Sequence, residues 1–387
     1  MSQGKTSVLV TGAAGNLGLR LLAQLSDFEI TAVDLAPPAT SLALRFERVD
    51  LGEEASCQQL VRLLRESGAT AVVHLGFVID PQRTGILDRE RMWQINVAGT
   101  ARVMEAITEV NRSGGAVTRF LYPSSVAAYG PSLPFPVDED FPLGGHTLTY
   151  AIHKREADEV VRTRFEQLGG CSVYLLRPHI FAGATMENYL IGGFRGTPSG
   201  RGRIAAWMRQ RGWRLPFILP SGPQYLENRF QFVHVDDVAR LMAHLLRRPQ
   251  TDAAPSLTVL NVAGRGEALP LERCLALAGT KAFRLPGHAA CRATLSLLWK
   301  LGVCAVPPDA LPYIAGSYTM DTHRLRDFLG GAYPEVIRYT IEEALVDSFR
   351  EAAESPQPAA SQPPVTEATA EKPLATAEKP LPVDSSR

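Results

Sequence analysis

The sequence predicts an α/β fold: one parallel, doubly wound sheet covered by helices on both faces. Three observations carry it. Short apolar, β-branched runs alternate with longer amphipathic stretches through the first half of the chain. The runs are continuous in apolar character rather than alternating, as in strands buried on both faces. A glycine-rich turn, Gly12-Ala13-Ala14-Gly15-Asn16-Leu17-Gly18, joins the first run to the first amphipathic stretch.

In chain order, strands are expected at Ser7–Thr11, Glu29–Asp34, Arg45–Asp50, Ala71–Gly76, Thr118–Ser125 and Ser172–Arg177. Between them, helical periodicity covers Leu17–Leu25, Glu54–Glu66, Arg91–Glu109 and Thr149–Leu168. After Pro178 the rhythm breaks into a segment rich in Gly, Pro and Arg (Arg195, Arg201, Arg203, Arg209, Arg211, Arg214), read as a solvated loop. A helix from Asp236 to Arg247 and a strand at Thr258–Ala263 resume the pattern and return to the sheet. Late helices are expected near Asp321–Leu329 and at Ile341–Ala352, the second capped by Thr340. From about Glu354 the composition shifts to Pro, Ala, Glu, Ser and Thr, and Thr-Ala-Glu-Lys-Pro-Leu occurs twice. Such a tail buries too little apolar surface to offset the entropy of ordering. The expected division is a nucleotide-binding domain at 1–178, a smaller C-terminal α/β substrate-binding lobe at 179–353 and a disordered tail at 354–387.

Forty basic and 40 acidic side chains cancel over 387 residues, so no global charge points to nucleic acid or a membrane surface. The five cysteines are odd in number and scattered, without a CxxC pair, which predicts reduced thiols, no disulfide framework and no metal site. The apolar patch Ala293–Val306 is interrupted by Lys300 and too short to span a bilayer. The chain reaches a strand by Ser7-Val8 without a charged-then-apolar leader. These features predict a soluble, cytoplasmic protein without a nucleic-acid partner and without stable membrane insertion.

The glycine turn follows a strand and opens a helix, the context in which backbone amides and the helix dipole face a pyrophosphate. Gly12 permits the turn, Gly15 the close approach of phosphate, and Gly18 the packing of helix on sheet. This is the turn of a Rossmann-type domain. Asp34 ends the second strand, where a carboxylate accepts from both ribose hydroxyls and repels a 2′-phosphate. No Arg or Lys follows before Arg45, so NAD(H) is expected in preference to NADP(H). Asp50 and Leu51 close the third strand beside the adenine position, although Asp50 also suits the N-cap of the next helix.

Tyr150 and Lys154, four apart on a helix, share a face. A free phenol titrates near pH 10; making it useful near neutrality takes roughly 3 units, about 4 kcal/mol, which a close cation in a dry pocket supplies. Ser125, 25 residues before the tyrosine, would complete a proton-transfer site around a carbonyl or alcohol.

With these motifs the chain resembles the extended short-chain dehydrogenase/reductase family, the NAD-dependent epimerase/dehydratase group. The resemblance runs from about Ser7 to Arg350 and rests on TGxxGxxG, His74-Leu75-Gly76-Phe77, Asn96-Val97-Ala98-Gly99-Thr100, Ser124-Ser125-Val126-Ala127-Ala128-Tyr129-Gly130, YxxxK, Leu176-Arg177-Pro178 and His234-Val235-Asp236-Asp237. It implies Tyr150 as general acid/base, Lys154 as its partner and ribose anchor, and Ser125, rather than Ser124, as donor to the substrate oxygen. It further implies that Asn16 and Leu17 contact the pyrophosphate. Leu75, Gly76 and Phe77 would line the nicotinamide and its ribose, with Asn96 nearby and Pro178 and His179 approaching from the sixth strand. Tyr129 and Gly130 look structural. A homodimer through helices 91–109 and 149–168 is the assembly the resemblance implies.

Two departures from the family bear on the reaction. Its sugar-nucleotide dehydratases carry Asp-Glu directly after the serine position; this chain has Val126-Ala127, so elimination lacks its carboxylates. Its epimerases often carry an Arg four residues before the His of the HV motif; here that residue is Phe230, with Arg229 one step off and so on the other strand face. The apolar stretch Ala293–Pro308 adds surface suited to the wall of an apolar pocket. The expectation is net hydride transfer between nicotinamide and a ketone or secondary alcohol of a small organic molecule. The alternatives are redox-neutral nucleotide-sugar epimerisation and, more remotely, a non-catalytic dinucleotide-binding module.

Overall fold

The computed structural model of the chain describes residues 6–79, 85–249 and 256–350. The β-branched runs become β1 Ser7–Thr11, β2 Glu29–Asp34, β3 Arg45–Arg48, β4 Ala71–His74, β5 Arg119–Pro123 and β6 Ser172–Pro178. The later strands are β7 Ile180–Ala182, β8 Phe217–Pro220, β9 Arg229–Phe230, β10 Phe232–His234, β11 Ser256–Val262, β12 Leu269–Pro270 and β13 Ala282–Leu285. Seven of them form one sheet in the order β3-β2-β1-β4-β5-β6-β11, parallel at every pairing. Strand order reverses between β1 and β4, and the crevice beyond their carboxyl ends is where ligands of open α/β sheets bind.

Helices cover both faces. On one side lie α1 Asn16–Ala23 and the helix Val235–Arg247, whose Leu21, Leu22, Leu241 and Leu245 pack against Val8, Val10 and Val73. On the other lie α2 Ser56–Ser67, α4 Gly99–Arg112 and α5 Thr149–Arg164, packed on Leu9, Val72 and Phe120, while the short α3 Arg89–Trp93 packs its Met92 with Val78 and Ile95. β1 and β4 are buried along their whole length, the physical reason for their unbroken apolar sequences.

Several expected boundaries shift. β3 ends at Arg48 rather than Asp50 because Val49 leaves the ladder after one bond to the Asp34 carbonyl (3.2 Å). The expected helix 91–109 begins at Arg89, where Asp88 caps it, and passes from α3 into α4 through a π-helical turn, Gln94–Ala98. α5 gives way to a 3₁₀ turn over Phe165–Leu168. The largest correction concerns the Arg-rich segment. Instead of a loop it contains α6 Tyr189–Arg195, α7 Arg203–Gln210 and β8, which pairs in parallel with β13. Glycines hid it from sequence reading: Gly193 sits inside α6 because a Cβ there would meet the Phe217 ring at 3.0 Å.

The remaining helices are α8 Gln224–Glu227, α9 Val235–Arg247, α10 Leu271–Ala278, α11 Gly287–Lys300, α12 Leu311–Ala315, α13 His323–Leu329, α14 Tyr333–Val336 and α15 Ile341–Asp347. α15 opens on a capping box between Thr340 and Glu343. A second core, with Phe194, Phe217, Phe230, Phe232 and Tyr313, gathers residues from this later half around Val126, Tyr129 and Ala151. The five cysteines are free and buried. No helix among the described residues is long and apolar enough to cross a membrane. The tail expected at 354–387 lies outside the described residues.

Candidate active site

The β1–α1 turn is built for close backbone approach. Gly12 has φ +68°, and a Cβ there would sit 2.5 Å from the Gly76 amide and the Leu75 carbonyl carbon, so the loop after β4 presses directly on it. A Cβ on Gly18 would meet the Gly12 carbonyl oxygen at 2.5 Å; the helix thus packs on its own loop as well as on the sheet. Gly15 is the N-cap of α1 and no side chain caps the helix, which leaves its first amides available to an anion. The Asn16 side chain turns to the loop after β7, donating to Thr185 at 3.1 and 3.2 Å and accepting from Arg20 at 3.1 Å. Arg20 continues this network to Asp236 and to the Thr185 hydroxyl. Leu17 packs into the core beneath the sheet.

Asp34 sits at the end of β2, its carboxylate accepting from Ala14 N at 2.9 Å and Leu35 N at 2.7 Å. Burial raises its pKa, and those amide bonds work against the rise. Asp50 accepts from Gly52 N and pairs with Arg91 at 2.5 Å. It is not a helix cap, because α2 starts only at Ser56. Leu51 is buried against Gly76 and Gly99.

His74 anchors the β4 end. Thr100 spends its hydroxyl proton on the Asn96 carbonyl (2.7 Å), so it accepts from His74 Nε2 (3.0 Å). His74 Nδ1 then accepts from the Thr11 hydroxyl (2.7 Å), and burial pushes the imidazole down to about 3, keeping it neutral. Asn96, fully buried in the π turn, binds both the amide and the carbonyl of Val78 (2.6 and 3.0 Å) and faces His153 Nδ1 at 3.2 Å. It therefore pins the loop after β4 that carries Leu75, Gly76 and Phe77. His153 is its buried partner.

Ser125, Tyr150 and Lys154 come together. Ser125 lies just past β5, buried; its Oγ accepts from Ala127 N at 3.2 Å, and it lies beside the Tyr150 phenol, whose pKa it lowers. The Tyr150 ring meets Phe77 edge-on, centroids 5.9 Å apart. Lys154, one turn along α5, is buried with Nζ donating to the Pro123 carbonyl at 2.7 Å and lying 3.7 Å from the Phe77 ring centre. Ser124 Oγ is buried without a hydrogen-bond partner among the described residues.

The electrostatics correct one expectation. Desolvation pushes the Tyr150 phenol up to about 12, with Ser125 opposing, instead of lowering it. The Lys154 ammonium rests on the Pro123 carbonyl and the Phe77 face. Burial lowers the lysine itself to about 7, with the Asp158 carboxylate pulling the other way.

Tyr150, Lys154 and Asp158 form one i, i+4, i+8 stripe, a spacing that could have drawn attention to Asp158 from sequence alone. Asp158 and Arg177 are both fully buried and joined by two bonds of 2.9 Å. Arg177 also donates to the Tyr129 hydroxyl and the Glu139 carbonyl, and Tyr129 in turn donates to Asn261 at 2.8 Å. This network fixes the family-like Leu176-Arg177-Pro178 strand against α5.

His179 does not present a free imidazole. Its Nδ1 accepts from Ile180 N, Nε2 donates to the Tyr318 carbonyl at 2.8 Å, and the ring stacks on Tyr318. Burial lowers it to about 4, so it stays neutral. Pro178 ends β6 opposite Val262. Phe230 is buried against Tyr318, and Arg229 is exposed, donating to the Ala268 carbonyl. In the later half, a cavity of about 280 Å³ is lined by Tyr189, Phe217, Phe283, Leu295, Leu298 and Ile314 among others. The adjoining Tyr313 hydroxyl reaches the Ala127 carbonyl at 3.3 Å, two residues from Ser125.

Comparison with known proteins bears on this geometry. The family model described as NAD dependent epimerase/dehydratase family matches residues 8–263. An uncharacterised epimerase/dehydratase of Staphylococcus saprophyticus is 23% identical over 169 residues, 42% of this chain and 49% of that protein. A UDP-glucose 4-epimerase of Haemophilus influenzae is 27% identical over 196 residues, 48% of this chain and 56% of that one. The chain thus spans about half the length of the curated relatives it matches. The crystal structure of Thermus thermophilus UDP-glucose 4-epimerase with NAD superposes with a TM-score of 0.61 at 19% identity, covering 89% of this chain and 98% of that one, a likeness of fold. With the family model spanning this glycine turn, the Ser125/Tyr150/Lys154 cluster and the strands that carry them, the chain belongs to the NAD-dependent epimerase/dehydratase family.

Proposed function

We propose that the chain uses NAD(H) to oxidise and re-reduce a secondary-alcohol carbon, and that its reaction is redox-neutral epimerisation of a nucleotide sugar. The observation that carries the chemistry is the convergence of Ser125, just past β5, on the buried Tyr150 phenol, with Lys154 one turn along α5, at the carboxyl ends of the central strands. The names of the relatives support epimerisation over net redox chemistry. The residues present suit a dinucleotide: an uncapped helix N-terminus behind a turn that only glycine fits, and a carboxylate at the end of β2.

In this proposal residues 1–178 hold the cofactor and 179–353 the substrate. The amides of Asn16 and Leu17 take the pyrophosphate, and Gly15 lets it approach closely. Asp34 takes the adenosine ribose, which favours NAD(H) over NADP(H), and Asp50 and Leu51 flank the adenine. Leu75, Gly76 and Phe77 line the nicotinamide side, with Pro178 opposite. Asn96 and His179 act at one remove, by holding the neighbouring backbone. Bound NAD supplies a hydride acceptor and, once reduced, a hydride donor.

Ser125 donates to the substrate oxygen, and Tyr150 moves the proton. Near neutral pH the phenol is protonated and suited to donate. To accept, it needs a cation beside it, and Lys154 is the cation on its stripe. Epimerisation returns the same hydride to the opposite face of the transient ketone, so proton and hydride both come back and no cofactor is consumed. The pair of helices α4 and α5 offers the surface for a homodimer, and a cytoplasmic location fits this chemistry.

A second reading, net oxidation or reduction of an apolar alcohol or ketone, is favoured by buried Phe230 where an epimerase often has arginine, and by the apolar cavity. The two separate experimentally. The purified protein is denatured and its NAD(H) assayed, and the native protein is given UDP-glucose with the product followed by NMR. Retained NAD and conversion without net NADH support epimerisation. Freely exchanging NADH and turnover on apolar ketones alone overturn it in favour of the second reading. NAD binding with no turnover on either substrate class would leave only a binding module.

A further inference from the structure

The zero net charge of the chain hides a strong local asymmetry. Residues 188–220 and 278–308 contain Arg195, Arg201, Arg203, Arg209, Arg211, Arg214, Lys281, Arg284, Arg292 and Lys300 and no Asp or Glu; of the carboxylates that border them, Asp309 pairs with Arg292 at 2.8 Å and Glu187 acts on Arg195. The fold brings the two segments together. Gly202 N donates to the Gly302 carbonyl at 2.9 Å and Gly200 N to the Val303 carbonyl at 3.0 Å, tying the start of α7 to the end of α11. β8 and β13 pair alongside.

The same region carries the molecule's exposed apolar side chains. Of 12 large hydrophobics exposed among the described residues, seven lie here: Ile204, Trp207, Trp213, Phe283, Leu297, Trp299 and Leu301. Three of the chain's four tryptophans are among them. The arrangement follows helical spacing. Ile204 and Trp207 on α7 and Arg211 at its C-cap fall at i, i+3 and i+7, and the Arg211 guanidinium covers Trp207 at 4.3 Å while Trp213 packs on that ring at 5.1 Å. Leu297 on α11 and Leu301 just past its end, four apart, are 58% and 47% exposed, while Cys291 and Leu295 turn inward. Arg209 and Arg214 donate to main-chain carbonyls, and Arg214 also to Thr280, neutral groups that hold the side chains without cancelling their charge.

We propose that this face docks peripherally on an anionic phospholipid bilayer, with the tryptophans and leucines seated at the headgroup–acyl boundary and the arginines and lysines among the phosphates. Indole and long basic side chains with apolar stems are suited to that boundary, and a cationic surface is drawn to anionic lipid. A second copy of the chain is disfavoured as occupant because two such basic faces repel. Nucleic acid would match the charge but gives Ile204, Leu297 and Leu301 nothing to bury in. The apolar cavity is continuous with the face through Phe283, which is half exposed and also lines it.

The test uses the full chain and sonicated vesicles of phosphatidylcholine with or without phosphatidylglycerol. The protein is expected to sediment with the anionic vesicles and not with the neutral ones. Its binding should weaken about tenfold or more on raising salt, and brominated acyl chains should quench its tryptophan fluorescence. Arg203→Glu with Arg211→Glu, and separately Trp207→Ser with Leu301→Ser, should each abolish sedimentation while leaving NAD binding unchanged. The proposal is overturned by failure to bind anionic vesicles, by equal binding to neutral ones, by face variants that bind like the wild type, or by a concentration-dependent dimer that those variants dissolve in the absence of lipid binding. If a variant fails to fold, quenching of the unaltered protein still decides.

Discussion

Lys154 should leave a signature in the pH dependence of stability. Its burial in the folded chain lowers its pKa from 10.5 to about 7, whereas the unfolded chain restores the ordinary value. Between those values the unfolded state binds more protons than the folded one, so the lysine's penalty shrinks as pH rises. Worked through linkage, the penalty falls by roughly 2 kcal/mol from about pH 7 to about pH 9. Other groups also titrate there: the buried thiols Cys171 and Cys274, pushed up to about 12, lose stability as pH rises past their unfolded value of 9.0. Their effect is common to wild type and variant and cancels in the comparison. Urea denaturation of wild type and Lys154→Met across this range should therefore show the wild type gaining about 2 kcal/mol relative to the variant. Parallel curves would mean that Lys154 is solvated and that its contact with Pro123 and Phe77 does not hold it out of water.

Three further outcomes follow from the same geometry. Asp158→Asn strands a fully buried guanidinium and should cost about 3–5 kcal/mol by chemical denaturation; a loss under about 1 kcal/mol would show that Tyr129 and Glu139 alone satisfy Arg177. Gly12→Ala forces a Cβ into the Leu75–Gly76 backbone at a positive φ, and should abolish NAD binding by calorimetry; full affinity would contradict the tight-turn argument. Asp34→Asn keeps an acceptor for Ala14 N but removes the charge that repels a 2′-phosphate, so NADPH should gain about tenfold on NADH in fluorescence titration. No change in that ratio would remove Asp34 from cofactor selection.

The sheet was legible because its strands are short apolar runs buried on both faces, and that pattern has no other use in Ser7–Thr11 or Ala71–His74. The glycine turn was legible for a steric reason: Gly12 is the residue its crowded, left-handed backbone admits. What sequence could not show was where polar side chains point. Asn96 and His179 look like ligand contacts on paper, yet both spend their hydrogen bonds on neighbouring backbone. The Tyr150–Lys154 spacing correctly put both on one face of α5, but spacing alone does not reveal that Pro123 claims the ammonium. In the later half, glycines inside α6 and at the start of α11 masked helices that periodicity would otherwise have revealed. The basic face escaped because a whole-chain charge sum averages over it.

The most direct test of the proposed chemistry is the rate at which protein loaded with NAD reduces its nicotinamide on mixing with UDP-glucose, wild type against Tyr150→Phe, followed by the absorbance of the reduced ring. Removing the phenolic hydroxyl should leave NAD affinity intact and slow the step by about a hundredfold or more. Equal rates in the two proteins would contradict the assignment of Tyr150 as the group that moves the proton.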